Sequence, residues 1–303
     1  MNQACSRVAM VRPHHFRSNE QTAADNRFQR LDPERIDAAV SRYAREEFDA
    51  MVAQLNQQGI RVEVFEDTTT DTPDSVFPNN WFTSHADGTL VLYPMHCANR
   101  RLERRADIIE RLQRDYTISR TLDLTAFESQ GLSLEGTGAL VFDPLNDDVY
   151  AVRSQRMSDV VLKNLADQLG CNPVVIDAHD REGVPIYHTN VLMNVGQHIA
   201  MYAPELVAPA YRDDLAERLA RGNRTVITLS ATQIEAFAGN ALELMGREGP
   251  VLVLSQTAAS VLTVQQKDQL AQKSRMLICN LPTIELGGGS ARCMIAQLNW
   301  QPR

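Results

Sequence analysis

The sequence lacks long apolar runs, and its acidic residues outnumber its basic ones. No apolar run approaches the ~18 residues of a membrane-spanning helix, so we expect no membrane partner. Residues 1–10 show no charged head followed by an apolar core, and they therefore do not predict a signal peptide. The chain carries 38 acidic and 30 basic residues, a net charge of −8. This balance argues against binding along a nucleic-acid backbone.

The chain is also poor in cysteine and in metal-binding motifs. Its cysteines are odd in number, widely spread and without CxxC spacing. This pattern argues against a disulfide framework and a structural zinc site, and it fits a reducing compartment. The histidines form no HExxH motif. We therefore predict a cytoplasmic protein that needs no metal and no other cofactor. The cysteines are Cys5, Cys97, Cys171, Cys279 and Cys293.

What the sequence does contain is a regular alternation of helix and strand patterns. Apolar side chains recur at helical spacing over residues 33–58, Gly59 ends that helix, and residues 60–65 alternate as a strand. Two later hairpins are predicted over residues 139–152 and 191–202. Such units follow one another at intervals of roughly 50–60 residues, which is typical of a quasi-repeating α/β architecture.

Further elements continue this alternation to the end of the chain. Helices are predicted over residues 101–116 and 158–169, and a final strand over residues 294–299. No linker or low-complexity stretch interrupts the series, so we predict a single domain over residues 1–303, with a flexible N-terminus at residues 1–7. The pattern alone does not distinguish a propeller-like ring from a doubly wound sheet.

A glycine-rich motif near the C-terminus, GGGSARCM at residues 287–294, has the composition of a reactive-cysteine site. Its three glycines allow positive φ angles and a close approach of the backbone to a ligand. Main-chain amides around Cys293, which we place at the start of the final strand, would lower the pKa of the thiol and supply a thiolate nucleophile. The alternative is a glycine hinge beside a buried structural cysteine.

Three other polar segments carry groups that a thiol nucleophile could use. His188, just before a predicted strand, is a candidate proton carrier. Glu135 precedes another strand and is followed by Gly136. The segment DSVFPNNWF places the two amides of Asn79 and Asn80 between aromatic residues. Taken singly, each segment is also typical of a surface turn.

Together, and in this order, DSVFPNNW, LEGTG, YHTN and GGGSARCM resemble the arginine deiminase, dimethylarginine dimethylaminohydrolase and amidinotransferase superfamily. The N-terminal MVRP, with the polar residues that follow it, is most similar to the citrulline-utilisation hydrolases of that group. The resemblance runs from about Val8 to the C-terminus. It implies a pentein fold, which is a five-bladed pseudo-symmetric α/β-propeller of ββαβ modules around a central active site.

The resemblance also implies roles for individual residues. Cys293 matches the nucleophile, His188 the general acid/base, and Glu135 the carboxylate that works with it. Arg156, in a Ser-x-Arg motif, matches the arginine that clamps the substrate's α-carboxylate, a task suited to bidentate geometry. The sequence does not decide whether Arg100 or Arg101 is the second arginine of this clamp. The substrate-binding candidates are Asp74, Asn79, Asn80, Arg100, Arg101, Arg156 and Asn190.

The chain departs from its relatives where their carboxylates contact guanidinium. Asn80 and Asn190 stand where relatives carry aspartate, and Gly138 removes another negative charge. An amide offers both a donor and an acceptor, so it can pair with a neutral ureido group without leaving a buried charge uncompensated. We therefore expect a hydrolase that converts citrulline into ornithine, ammonia and carbon dioxide through a covalent thiol intermediate.

Three other functions stay open at this point. The chain is alternatively an arginine deiminase, or a hydrolase of another guanidino compound. A non-catalytic protein of the same fold is disfavoured by the retained Cys293, His188 and Glu135. An amidinotransferase would need a second amine substrate, for which no feature stands out. In each catalytic case the expected partner is a small molecule, and the chain can also form a homo-oligomer.

Overall fold

The computed structural model describes residues 5–23, 25–30, 37–143 and 145–303. This part of the chain contains fifteen strands, arranged as five three-stranded sheets. The strands are β1 (Arg7–Pro13), β2 (Arg61–Asp67), β3 (Phe82–Ser84), β4 (Thr89–Leu92), β5 (Arg120–Asp123), β6 (Leu140–Asp143), β7 (Asp148–Val152), β8 (Asn172–Ile176), β9 (Met193–Val195), β10 (Ile199–Tyr202), β11 (Thr225–Thr228), β12 (Leu242–Gly246), β13 (Gly249–Ser255), β14 (Arg275–Cys279) and β15 (Ala296–Gln297).

The helices connect these strands or lie at their ends. They are α1 (Asp37–Gln57), α2 (Ala98–Arg101), α3 (Ala106–Asp115), α4 (Gly136–Ala139), α5 (Asp159–Leu169), α6 (Thr189–Leu192), α7 (Arg212–Ala220), α8 (Ala231–Glu235), α9 (Gln256–Val261) and α10 (Val264–Ala271). Each of them, within the described ranges, is too short or too polar to cross a bilayer.

All five sheets share one topology. In each, a central strand pairs antiparallel with one neighbour and parallel with the other, as β4 does with β3 and β5. The parallel pair is joined by a helical crossover, because parallel neighbours cannot be linked by a tight turn. The predicted α/β class is confirmed, and the five sheets agree with five ββαβ modules.

The fifth sheet unites the two ends of the chain. Its central strand β1 pairs antiparallel with β15, in the register Val8↔Gln297, and parallel with β2. The last strand therefore completes the module that the first strand begins. Because the pairing is antiparallel, the glycine-rich motif, which precedes β15, lies toward the C-terminal end of β1.

Both faces of the central strands are buried, and they pack into different apolar clusters. On β1, Val8 and Met10 join a cluster with α1 and β14, whereas Ala9 and Val11 join a second cluster with β4. The alternation follows from the two-residue period of a strand. Alternate residues of β4, β7 and β13 likewise belong to two different clusters, so each of these strands links two neighbouring sheets. The clusters connect the central strands in the order β1, β4, β7, β10, β13 and back to β1.

Several predicted boundaries are corrected by the structure. The predicted helix over residues 101–116 begins only at Ala106, where α3 starts. Arg101 ends the separate helix α2, and the connection between the two helices contains Glu103, which forms a buried ion pair with Arg100. The strand predicted from residue 191 starts two residues later, after the one-turn helix α6. The final strand spans only two residues, so Cys293 lies in a turn before it.

Two strands and the N-terminus also differ from expectation. The short strands β3 and β12 were not predicted. β3 spans only three residues, and the apolar alternation of β12 is limited to Leu242, Glu243 and Leu244. Residues 1–4 of the predicted flexible N-terminus lie outside the described residues, as do residues 33–36 of the first predicted helix. Among the described residues of this segment, Cys5 is buried and Arg7 belongs to β1.

Candidate active site

The Cys293 side chain is buried and is contacted by two side-chain amides. Asn240 Nδ2 lies 3.2 Å from its sulfur, and Asn190 Nδ2 lies 3.5 Å from it. The backbone amide of Cys293 donates to the carbonyl of Ser290 at 3.0 Å, which closes the turn. The sulfur thus has a defined position, and N–H donors rather than carboxylates contact it.

His188 and Glu135 form a buried pair beside this turn. His188 Nε2 lies 2.9 Å from Glu135 Oε2. Burial lowers the pKa of His188 and outweighs the hydrogen bond to Glu135, which raises it. Burial alone would raise the pKa of Glu135, but Arg156, His188 and Arg100 hold it well below its usual value. At neutral pH the carboxylate is therefore ionised and the imidazole is neutral.

The glycines of the LEGTG segment allow this close packing. Gly136 has φ +38°, and a Cβ there would lie 2.5 Å from the carbonyl oxygen of Asn79. A Cβ on Gly138 would lie 2.7 Å from Cε1 of His188. A side chain at either position would displace its neighbour. Gly138 therefore has a steric role beside the imidazole, in addition to the missing negative charge noted in the sequence.

Two buried arginines lie on either side of Glu135. Arg156 Nη1 donates to Glu135 Oε2 at 3.2 Å, and its Nε donates to Asp25 Oδ2 at 2.8 Å. Arg100 Nη1 lies 3.7 Å from the same Glu135 oxygen, while its Nε and Nη2 bind Glu103 at 2.9 Å each. The structure thus brings both arginines to the carboxylate of Glu135.

Arg101 lies outside this network. Its Nε donates to the Met95 carbonyl at 3.1 Å and lies 3.5 Å from Glu128 Oε2. Its side chain is partly exposed, whereas that of Arg100 is buried. Of the two candidates for a second carboxylate-binding arm, the structure therefore places Arg100 at the site.

The remaining predicted residues present buried polar atoms that have no partner among the described residues. These atoms are Asp74 Oδ1, Asn79 Nδ2 and Oδ1, Asn80 Oδ1, and Asn190 Oδ1. Asn80 Oδ1 lies 3.0 Å from the position that a Cβ on Gly138 would take, close to the His188 ring. Because buried polar groups are normally satisfied, a concentration of free ones marks atoms available to a ligand.

Comparison with known proteins assigns the chain to a family. Residues 12–300 match the family model described as eukaryotic N,N-dimethylarginine dimethylhydrolase. The chain belongs to this family. Membership of the guanidino-group-modifying superfamily, predicted from the motifs, is thereby confirmed. No curated protein sequence shows a significant match.

Solved structures share the fold of this dimethylhydrolase family member. The N-terminal domain of ArgZ, an arginine dihydrolase from cyanobacteria, is 17% identical, with a TM-score of 0.74 over 97% of this chain and 99% of that domain. A dimethylarginine dimethylaminohydrolase is 13% identical, with a TM-score of 0.68 over 96% of this chain and 99% of that one. Unliganded AgrE is 18% identical, with a TM-score of 0.75 over 96% of this chain but 39% of its own.

In this dimethylhydrolase family member, three residues lie at the site that the sequence analysis did not predict there. Asn240 contacts Cys293, and Asp25 binds Arg156. Tyr187 donates from its hydroxyl to the Gly288 carbonyl at 2.6 Å, and its ring packs on His188 with centroids 4.5 Å apart. Tyr187 had a local signal in its position next to His188. Asp25 lies in the polar segment that follows MVRP, but that resemblance did not single it out, and Asn240 comes from a segment with no motif of its own.

Proposed function

We propose that this chain hydrolyses the ureido group of citrulline, with Cys293 as the nucleophile. The observation that carries the choice of substrate is Asn79, whose side-chain nitrogen and oxygen are both buried and unpartnered among the described residues. Either orientation of that amide leaves one free donor. A guanidinium offers only donors, so it would leave this N–H unmatched, whereas the ureido carbonyl accepts from it.

The proposed first step uses the protonation states of the His188–Glu135 pair. Neutral His188 takes the proton of the Cys293 thiol, and the sulfur attacks the ureido carbon. The imidazolium is stabilised by the ionised Glu135 and gives its proton to the departing nitrogen. The carbon–nitrogen bond breaks, ammonia leaves, and a thiocarbamate links Cys293 to the substrate.

The second step reverses the roles. His188 takes a proton from water, which adds to the thiocarbamate carbon, and the carbon–sulfur bond breaks. The imidazolium returns its proton to the sulfur. The carbamate that is released loses carbon dioxide and leaves ornithine. The sum is citrulline plus water giving ornithine, ammonia and carbon dioxide.

Arg156 and Arg100 are proposed to bind the substrate's α-carboxylate. In the present structure the Asp25 carboxylate accepts from Arg156 Nε at 2.8 Å, and it occupies the geometry that a substrate carboxylate would take. We propose that substrate replaces Asp25 at this guanidinium. Asp74 Oδ1, free among the described residues, is then available to the substrate's ammonium group.

A further proposal concerns how the five modules are arranged. We propose that the five modules form a single catalytic domain, a pseudo-fivefold α/β-propeller around the site. The support is the cyclic order in which the apolar clusters connect the central strands, together with the β1–β15 pairing. A reducing, cytoplasmic location is supported by the free state of all five cysteines.

A second candidate is hydrolysis of a guanidino substrate, arginine or a methylarginine. The three unpartnered amide oxygens of Asn79, Asn80 and Asn190 are acceptors that also suit guanidino N–H groups. The family's description names dimethylarginine, and ArgZ is described as an arginine dihydrolase.

A substrate panel separates the two candidates. Citrulline, arginine, agmatine, methylarginines and N-succinylarginine are supplied separately, and ammonia, ornithine, citrulline and methylamines are measured, with Cys293→Ala as the blank. We expect the highest kcat/KM for citrulline, with ornithine as product. Preferred release of citrulline from arginine or dimethylarginine would replace our proposal with the second candidate.

A further inference from the structure

Asn240 connects the two segments that meet at the nucleophile. Its Nδ2 donates to the Cys293 sulfur at 3.2 Å and to the Asn190 carbonyl at 3.2 Å. Its Oδ1 accepts from the backbone N–H of Arg292 at 3.1 Å. The side chain is fully buried, and all three contacts are internal to the site.

These contacts determine the orientation of the amide. The backbone N–H of Arg292 can only donate, so the group facing it must be the oxygen of Asn240. The –NH₂ group must then face the sulfur and the Asn190 carbonyl, one hydrogen to each. The donor at the sulfur is thus assigned by a second, independent hydrogen bond.

The backbone that carries Asn240 is held in an unusual conformation. Phe237 has φ +62°, which is uncommon for a residue with a side chain. A Cβ on Gly239 would lie 2.1 Å from the Val191 carbonyl oxygen, so this turn packs directly against the segment that follows His188. Strained turns of this kind occur where surrounding contacts impose a functional geometry.

We propose that Asn240 is a positioning residue, which orients the Cys293 sulfur and stabilises its thiolate form. The inference rests on the proposed role of Cys293 as nucleophile. An N–H donor favours the charged form of its acceptor, so the Asn240 amide favours the thiolate over the thiol. Asn190 Nδ2, at 3.5 Å, provides a second donor, and the two amides together restrict the direction of the sulfur.

Two other ionisable groups interact electrostatically with this sulfur. Burial lowers the pKa of the Arg292 guanidinium to about 10, and the charge of Cys293 opposes this. Burial raises the pKa of Tyr187, and the charge of Cys293 adds to the increase.

The test compares Asn240→Ala and Asn240→Asp with a matched control. Asn240→Asp has the same size but presents only acceptors once it is ionised. The control is Asn194→Ala, since Asn194 Nδ2 donates to the Gly239 carbonyl at 3.3 Å and holds the same turn without touching sulfur. Iodoacetamide alkylation of Cys293 is followed against pH, with the modified peptide identified by mass spectrometry.

We expect Asn240→Ala to raise the apparent thiol pKa by about one unit, since loss of a charge-assisted hydrogen bond has roughly that effect. Asn240→Asp should raise it further, and Asn194→Ala should leave it where it is. The kcat for citrulline should fall ~10-fold or more in both Asn240 variants, with little change in KM.

An unchanged alkylation profile in a folded Asn240→Ala variant overturns the proposal, as does an equal shift in Asn194→Ala. If thermal unfolding shows that Asn240→Ala does not fold, the same-sized Asn240→Asp decides by its pKa shift alone. Alkylation needs no substrate. Failure of the citrulline proposal therefore appears separately, as absent turnover in the unmodified protein together with a normal shift in the variants.

Discussion

His188 Nε2 and Glu135 Oε2 lie 2.9 Å apart in a site that buries both side chains. Because the carboxylate is ionised and the imidazole neutral, the pair is ready to accept a proton and to stabilise the resulting charge. The two residues are 53 positions apart in sequence, and each immediately precedes a one-turn helix. Glu135 and His188 therefore occupy equivalent positions in two of the repeated modules.

Replacing the nucleophile should abolish turnover and preserve the fold. In Cys293→Ala no group remains that can form the covalent intermediate, so we expect less than about 1% of the original kcat. Cys171→Ser is the matched control, because Cys171 is half-buried just after α5 and has no role in the proposed steps. Comparable activity in the two variants, measured as ornithine release, would show that Cys293 is not the nucleophile.

Loss of the imidazole should be nearly as damaging. His188→Ala removes the group that carries the proton in both proposed steps, and general acid–base catalysis typically contributes about 10²- to 10⁴-fold. Steady-state kcat for citrulline is the measurement, with circular dichroism to confirm folding. A decrease below tenfold would assign the proton transfers to another group.

The pH dependence of Glu135→Gln tests the electrostatics of the pair. Glu135 raises the pKa of His188, so its removal should lower that pKa further. In the proposed mechanism, activity needs neutral His188 and declines as pH falls through this pKa. The acidic limb of kcat/KM should therefore move to lower pH in the variant. An acidic limb that stays in place would mean that another group titrates there.

Glu135 should also affect stability against acid. Its folded-state pKa lies well below the ordinary 4.5, so the ionised carboxylate stabilises the fold above about pH 4.5. That contribution is lost as pH falls through the folded-state pKa. We expect the melting temperature of the unmodified protein to decrease more steeply with acidification than that of Glu135→Gln, although the variant starts lower because Arg156 and Arg100 lose a partner.

Arg156→Gln should mainly raise KM for substrates with a free α-carboxylate. The comparison is between citrulline and its decarboxylated analogue, with Arg101→Gln as control, since Arg101 contacts Glu128 and a main-chain carbonyl instead. We expect a larger KM increase for citrulline than for the analogue. An equal increase for both substrates would remove Arg156 from the carboxylate clamp.

Asn80→Asp tests the selection of a neutral group. The introduced carboxylate should favour guanidinium and disfavour the ureido carbonyl, and a charged hydrogen bond of ~1.5–3 kcal/mol corresponds to a change of about 10- to 100-fold in the arginine-to-citrulline ratio of kcat/KM. Combining it with Asn190→Asp should add to the ratio but lower both rates, because Asn190 Nδ2 lies 3.5 Å from the sulfur. A preference for arginine in the unmodified protein would contradict the amide argument.

Local features of the sequence were enough to identify the helix α1 and the reactive segments. The apolar side chains of α1 recur every three or four residues, and this period survives in the structure because one face packs against β1. Cys293, His188 and Glu135 each stand beside glycine or in a short polar segment, where the backbone must approach closely. Residue order and composition alone therefore determined the family and the α/β class.

Only the tertiary structure decided which residues complete the site. Arg100 and Arg101 are neighbours with the same chemistry, but adjacent helical positions point in different directions, and only Arg100 reaches Glu135. Asn240 and Asp25 come from distant segments, and the patterns of those segments do not predict which side chain contacts Cys293 or Arg156. Their positions depend on how five sheets pack together, a long-range result that no local pattern encodes.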